Sequence, residues 1–381
     1  MYNDFLQYML YNVMLYYSNV LHLLVHLIWA FAFFAICIVI YLLYSYKQSF
    51  YFKGESKNFA NNQFSAHFVL YVSSLRILRS IFKRILRNAF KKNAKSNQWS
   101  ENQVRVIENI VPRHELQSLE ITYINHATFL IQGNNINILT DPVYSKSIGP
   151  RIFNWPLFNI FRMHKPGIKF EDLPKIHMVL ISHNHFDHMD QETIVKLHKI
   201  HKPLFITPLG NDTILKRMNK TINTVSLDYA DSHKYNDDIT ITLERAYHWS
   251  KRSAYDTNKA LWGSFVIEFK KEKVFFAGDT SLHTGEIFKD IKNKYQYFDV
   301  SLIPIGAYQP EYSNMHCSPA EGLQIHNLLN SKHSIAMHWG CFKLSTETQL
   351  EPIEKISNDT FTSQGFIYLL PGETYTSKIK L

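Results

Sequence analysis

Cysteine is scarce: the 381 residues contain three, Cys37, Cys317 and Cys341, and the first lies inside an apolar run. A disulfide framework is therefore not expected, and the thiols read as buried or idle groups in a reducing compartment. Acidic residues are almost missing from the first hundred positions, which hold only Asp4 and Glu55 beside 11 Lys or Arg. Of the 41 basic and 32 acidic residues in the chain, 30 of each are left for positions 101–381, so the formal charge of +9 sits entirely in the leading segment. The neutral body lacks the net basic charge that displaces counterions from a duplex, which argues against a nucleic-acid partner. From Val20 to Tyr44, VLHLLVHLIWAFAFFAICIVIYLLY, there is no charge, proline or glycine. Nothing in that run breaks a helix, and as a helix it would extend about 38 Å against about 30 Å of bilayer hydrocarbon. No Lys or Arg precedes the run and no clear small-residue cleavage site follows, which argues against a signal peptide.

With 46% hydrophobic residues the chain can close a sizeable core and carry an appendage as well. Residues 1–48 are expected to form an amino-terminal segment with a transmembrane helix at about 20–44. Asp4 is the one charge ahead of that helix, whereas Lys47, Lys53 and Lys57 follow it. Positive-inside bias then makes this a single-pass membrane protein with its carboxy-terminal bulk in the cytoplasm. His22 and His26 stand one turn apart, but near a helix end they suit lipid headgroups better than a metal. Residues 49–104 form a basic connecting region. Between Phe68 and Phe90, Val69, Val72, Leu75, Leu78, Phe82, Ile85 and Leu86 recur at helical spacing among Arg76, Arg79, Lys83, Arg84 and Arg87. A helix on an anionic membrane surface and an ordinary packed helix fit this pattern equally. Lys91 to Trp99 reads as a linker, and the main folded domain is expected over 105–381.

After Leu116 the pattern changes to short apolar runs, LEITYI, ATFLIQG and INILTDP, which read as strands. HMVLISHNHFDHMDQETIVKLHKI then gives a buried strand over Met178 to Ile181, a polar loop, and a helix capped by Asp190. The loop sets His183, His185, Asp187 and His188 within six residues. His183 and His185, two apart in extended backbone, can share one metal. Asp187 and His188 are neighbours and would fan toward a second. Burying so many titratable groups is costly unless a metal holds them deprotonated. Imidazole suits zinc, and a carboxylate trims the charge of a doubly cationic pair. His177, His198 and His201 nearby read as surface or packed residues.

SHNHFDHMD resembles the histidine and aspartate loop of the metallo-β-lactamase superfamily, with Ser182 where threonine is usual. More narrowly, the chain is similar to the branch of N-acylphosphatidylethanolamine phospholipase D and its bacterial relatives. NHATFLI (Asn125 to Ile131), LTDPVYS (Leu139 to Ser145), AYHWSKR with LWGSF (Ala246 to Arg252, Leu261 to Phe265), FFAGDT (Phe275 to Thr280) and AMHWG (Ala336 to Gly340) carry the similarity, in the family's order. The resemblance spans roughly residues 115–375. Tyr229 stands where relatives often have tryptophan, and the transmembrane helix is foreign to the lipid enzyme.

The fold that the resemblance implies is α/β, a four-layer αββα sandwich. It also implies two divalent metal ions, zinc by preference. His248 would complete the first site with His183 and His185, and His338 the second with Asp187 and His188, while Asp279 bridges both and Gly278 lets the backbone approach. Spacing alone would not choose His248 and His338 over His233 or His333. The catalytic residues expected are Asp187 and His316, the latter to orient substrate or protonate the leaving group. Lys251 and Arg252 could reach a phosphate, but they read as solvated and stay outside the site. Two metals about 3.5–4 Å apart can share a hydroxide, ionised near neutral pH, and neutralise charge developing on a phosphodiester.

The expected function is therefore a metal-dependent phosphodiester hydrolase of the phospholipase D type, acting on N-acyl phospholipids or related lipids. It would release phosphatidic acid and an amine-bearing product, and tethering raises the effective concentration of membrane substrates. The alternatives are a lactonase or β-lactamase-like hydrolase of a soluble cyclic ester or amide, and a membrane scaffold that keeps an inactive fold. Lipid or phosphodiester and the membrane are the expected partners, and a homodimer is compatible with them.

Overall fold

The structure, a computed structural model, describes residues 2–49, 51–64 except 53 and 62, 99–108 except 102, 118–150, 159–309, 314–357, 361 and 364–377. The segment Phe68–Phe90, expected as a basic amphipathic helix, lies outside the described residues, as does most of the linker that follows it. Contacts divide the chain into two compact units, residues 1–50 with Ser253–Asp256, and Tyr51–Arg252 with Thr257–Leu381.

In the first unit one helix runs without a break over Tyr2–Gln48. It begins well before the apolar stretch at Val20, because residues 2 to 19 contain tyrosine and asparagine but nothing that stops a helix. At about 1.5 Å per residue it is about 70 Å long. Trp29, Phe31, Phe33, Phe34, Ile36 and Ile40 are all more than half exposed. Leu6–Lys47 is long and apolar enough to cross a membrane.

The second unit starts ahead of the boundary expected at 105. Phe52, Phe59 and Phe64 pack ring against ring at 4.7–5.2 Å. The Phe64 amide donates to Asn258 O at 2.7 Å, Val104 is buried, and Trp99 Nε1 donates to Glu347 O at 3.0 Å.

Two seven-stranded mixed sheets make up its body. In spatial order the first contains Thr224–Leu227, Leu204–Pro208, Met178–Leu180, Ile136–Thr140, Thr128–Gly133, Glu120–Asn125 and Thr374–Thr376. The first four are mutually parallel and the rest antiparallel. The second contains Ser232–Lys234, Ile239–Glu244, Ser264–Phe269, Lys273–Phe276, Phe298–Pro304, Ser331–Met337 and Phe366–Tyr368. Here the first four are antiparallel, and Lys273–Phe276 onward is parallel.

Alternation along the first sheet sorts its side chains between two cores. Phe129, Ile131, Ile138, Met178, Leu180 and Ile206 enter a core shared with the second sheet. Their neighbours Leu130, Leu139, Val179, Ile181 and Phe205 enter another cluster with Ile194, Leu197, Ile214 and Leu215. Those last four belong to the helices Gln191–His201 and Asn211–Met218. On the second sheet, Pro319–Leu329 packs against Phe298–Pro304 and Ser331–Met337. Asp190 does sit at the N-cap position of Gln191–His201, but its carboxylate does not cap that helix. It accepts instead from the amide and hydroxyl of Ser145 at 3.0 and 2.8 Å. This ties the LTDPVYS loop to the start of the helix.

Candidate metal centre

Parallel strands direct their carboxyl ends to one edge, where crossover loops gather ligand-binding groups. Ile136–Thr140 delivers Asp141, Met178–Leu180 delivers His183 and the loop behind it, Lys273–Phe276 delivers Asp279, and Ser331–Met337 delivers His338. His248 follows the antiparallel strand Ile239–Glu244. All seven side chains expected to bind metal, scattered from 183 to 338, are brought together here. His177 and His201 stay outside, accepting the backbone amides of Asn137 and Ile176. His333 is exposed, and among the described residues neither it nor His233 belongs to a group able to hold a metal.

The nitrogens and carboxylates form two clusters. In the first, His185 Nδ1 lies 2.8 Å from His183 Nε2 and 3.2 Å from His248 Nε2. Asp279 Oδ2 stands 3.8 Å from His183 Nε2 and 3.6 Å from His248 Nε2. In the second, Asp187 Oδ2 stands 3.6 Å from His188 Nε2 and 3.5 Å from His338 Nε2. Asp279 reaches these rings too, Oδ2 at 3.1 Å from His188 Nε2 and Oδ1 at 3.2 Å from His338 Nε2. One carboxylate therefore belongs to both clusters.

These spacings fit a cation inside each set. Ligand atoms about 2.0–2.2 Å from one tetrahedral zinc stand about 3.3–3.6 Å from each other. The observed separations run from 2.8 to 3.8 Å. His188 Nε2, His338 Nε2 and Asp279 Oδ1 are buried and, among the described residues, lack hydrogen-bond geometry to any partner.

Other groups fix which atoms face inward. His188 Nδ1 donates to Asp141 Oδ2 at 2.6 Å, which leaves Nε2 as the donor atom toward the cluster. His248 Nδ1 donates to Met315 O at 3.0 Å, with the same consequence. Asp141 also accepts from Ser182, Oγ to Oδ2 at 2.6 Å and the amide to Oδ1 at 2.7 Å. His126, Asp141 and His338 all hold left-handed backbone, at φ 47°, 30° and 64°. Such conformations cost non-glycine residues energy and mark functional sites. Gly278 is left-handed as well at φ 57°, and a Cβ there would stand 2.5 Å from that of Ser182.

Burial holds His183 and His248 well below the usual histidine range, against the attraction of Asp279. For Asp279 burial works upward, but the charges of His188 and His338 outweigh it and keep the carboxyl ionised. His338 is pushed up to about 9, since Asp279 and Asp187 overcome its burial. The carboxylates thus draw positive charge onto the second cluster, which a bound cation would supply in place of protons. His316 Nδ1 lies 3.8 Å from Asp279 Oδ2, its ring 5.1 and 5.2 Å from those of His338 and His248. Burial lowers it to about 4, so it is neutral.

Sequence reasoning passed over three residues of this site. Asp141 and His126 sit inside segments quoted for the resemblance, yet a lone aspartate after a strand or a lone buried histidine carries no signal of its own. Arg252, expected as a solvated residue, is engaged instead. It donates to the carbonyls of Asn184 and Met189 at 3.0 and 2.8 Å and lies 4.3 Å over the Phe186 ring. That arginine spans the ligand loop.

Paired histidine and aspartate clusters at the shared edge of two mixed sheets define a metallohydrolase, and comparison with known proteins supplies the family. Residues 136–339 match the Beta-lactamase superfamily domain, more than half of the chain, and the protein belongs to that superfamily as a metal-dependent hydrolase. It is 30% identical over 292 residues to a Caenorhabditis elegans protein named N-acyl-phosphatidylethanolamine-hydrolyzing phospholipase D 1, covering 73% of this chain and 81% of that one. A Saccharomyces cerevisiae protein of the same name, mitochondrial, is 34% identical over 235 residues, with 58% of this chain and 48% of its own length covered. The match thus spans about half of the yeast protein. A metallo hydrolase from the archaeon Ignicoccus hospitalis superposes with a TM-score of 0.52 at 20% identity, over 69% of this chain and 100% of that one. That likeness is one of fold.

Proposed function

We propose that the chain is a membrane-anchored phosphodiesterase of the phospholipase D type, cleaving N-acyl phospholipids or related lipids with two zinc ions. Its fold would be the four-layer αββα sandwich, preceded by one membrane-crossing helix. The observation that carries this reading is the sharing of Asp279 between two clusters, which is what a dinuclear centre needs. The names of the worm and yeast relatives point the chemistry toward a lipid phosphodiester.

His183, His185 and His248 would hold one ion, Asp187, His188 and His338 the other, and Asp279 both. When bound, the two ions supply a water ionised near neutral pH and positive charge for the phosphoryl oxygens. Asp141 and the Met315 carbonyl keep the rings of His188 and His248 turned with Nε2 inward. His316 is neutral and faces Asp279 through Nδ1, and its imidazole would pass a proton to the departing alkoxide. Exposed apolar side chains along the helix from Leu6 to Tyr46 support anchoring in the bilayer that holds the substrate.

The test is an assay of full-length protein in mixed micelles with N-acyl phosphatidylethanolamine beside a lactone panel. Release of phosphatidic acid that a chelator abolishes and zinc restores is the expected result. Turnover of lactones alone would replace lipid with a cyclic ester, and no turnover of either class would leave the scaffold reading standing.

A further inference from the structure

His126 is nearly fully buried, 1% exposed, on the turn between the strands Glu120–Asn125 and Thr128–Gly133. Its Nε2 lies 3.1 Å from Asp187 Oδ2. Its carbonyl accepts the backbone amide of His338 at 2.7 Å, and its ring lies 4.0 Å from that of His338 at 40°. One residue therefore touches two members of the second cluster, by side chain and by backbone.

Two roles are open to such a ring, and the hydrogen-bond inventory separates them. A histidine that binds metal through Nε2 must carry its proton on Nδ1, and metal-bound histidines almost always donate that proton to an acceptor. His188 and His248 do so. His126 Nδ1 is buried and, among the described residues, has no hydrogen-bond partner. A buried N–H left unsatisfied is costly, so the proton belongs on Nε2, where Asp187 accepts it.

We propose that His126 is a positioning residue for the second metal, donating from Nε2 to Asp187 Oδ2 and so fixing how that carboxylate faces the ion. This rests on the dinuclear reading above. Loss of such a contact costs about 10- to 100-fold in metal affinity.

The experiment uses the full-length protein and zinc itself. Zinc stoichiometry and affinity, by chelator competition, are measured for wild type, His126→Gln and His126→Asn, with thermal melting of each. The two amides have similar polarity, but glutamine places its nitrogen near the position of Nε2 and asparagine near that of Nδ1. The left-handed backbone favours asparagine, so a purely structural role predicts that Asn is the better-tolerated change in both measurements. A donor at Nε2 predicts the opposite for zinc: Gln within a few-fold of wild type, Asn weakened at one of two sites by about 10- to 100-fold. Equal, strong zinc loss in both variants would overturn the proposal in favour of His126 as a ligand, and unchanged affinity in both would overturn it outright. Wild-type protein that binds a single zinc would overturn the dinuclear reading, and the role of His126 with it.

Discussion

Asp141→Asn tests how the candidate centre is held without replacing a proposed ligand. Asp141 is fully buried and accepts at both oxygens, Oδ2 from His188 Nδ1 and Ser182 Oγ, Oδ1 from the Ser182 amide. An amide of the same shape has one oxygen and one NH2, so either orientation sets a donor against a donor. With NH2 toward His188, the imidazole must move its proton to Nε2, the atom that faces the cluster. With NH2 toward the Ser182 amide, a buried backbone donor on the ligand loop loses its acceptor. Either conflict costs about 1–3 kcal/mol as an unsatisfied buried donor. Expressed on the metal, the cost of the first orientation corresponds to a loss of about 10- to 100-fold in affinity. Zinc titration with a competing chelator reads that loss directly, and melting with and without saturating zinc separates it from the loss in the fold. The reasoning is refuted if Asp141→Asn keeps two zinc ions at wild-type affinity.

Alanine at Asp187 or His188 should lower turnover at least about 1,000-fold while melting in the presence of chelator stays within a few degrees of wild type, and full activity in both would remove them from the centre. Deleting residues 1–48 should move the protein from the membrane pellet to the supernatant on fractionation; if it stays in the pellet, another surface is the anchor. Burial lowers His164 to about 4 from an unfolded value near 6.5. Its contribution is therefore complete above pH 6.5 and lost as pH falls toward 4, at a slope approaching about 1.4 kcal/mol per pH unit. His164→Gln should flatten the acid limb of a calorimetric stability curve, and an unchanged limb would place that sensitivity elsewhere.

Much of the body was legible in advance, because its strands alternate cleanly between two apolar environments and turns separate them. The runs LEITYI, ATFLIQG and INILTDP became Glu120–Asn125, Thr128–Gly133 and Ile136–Thr140 with shifts of a residue or two. The loop from His183 to His188 announced itself by density alone. His248, Asp279 and His338 did not, since each is a single polar residue at a strand end, and family resemblance had to choose them. Asp141, His126 and Arg252 were illegible for another reason. Each acts through a contact 45 or more positions away in the chain, and such pairings exist only once the sheets have formed. The amino-terminal helix runs over Tyr2–Gln48, beyond the apolar stretch at 20–44, because hydropathy marks where a helix is apolar and not where it ends.

The proposed ligands come from both sheets: the loop at 183–188 from one, His248, Asp279 and His338 from the other. Bound cations would then be a clasp across the seam of the unit as well as reagents. Withdrawing them would unfasten the halves at the edge that carries the two clusters, leaving the apolar core between the sheets closed. Loss of metal should consequently appear first as faster amide exchange around that edge, ahead of any global melting. Folding and chemistry would draw on the same few side chains.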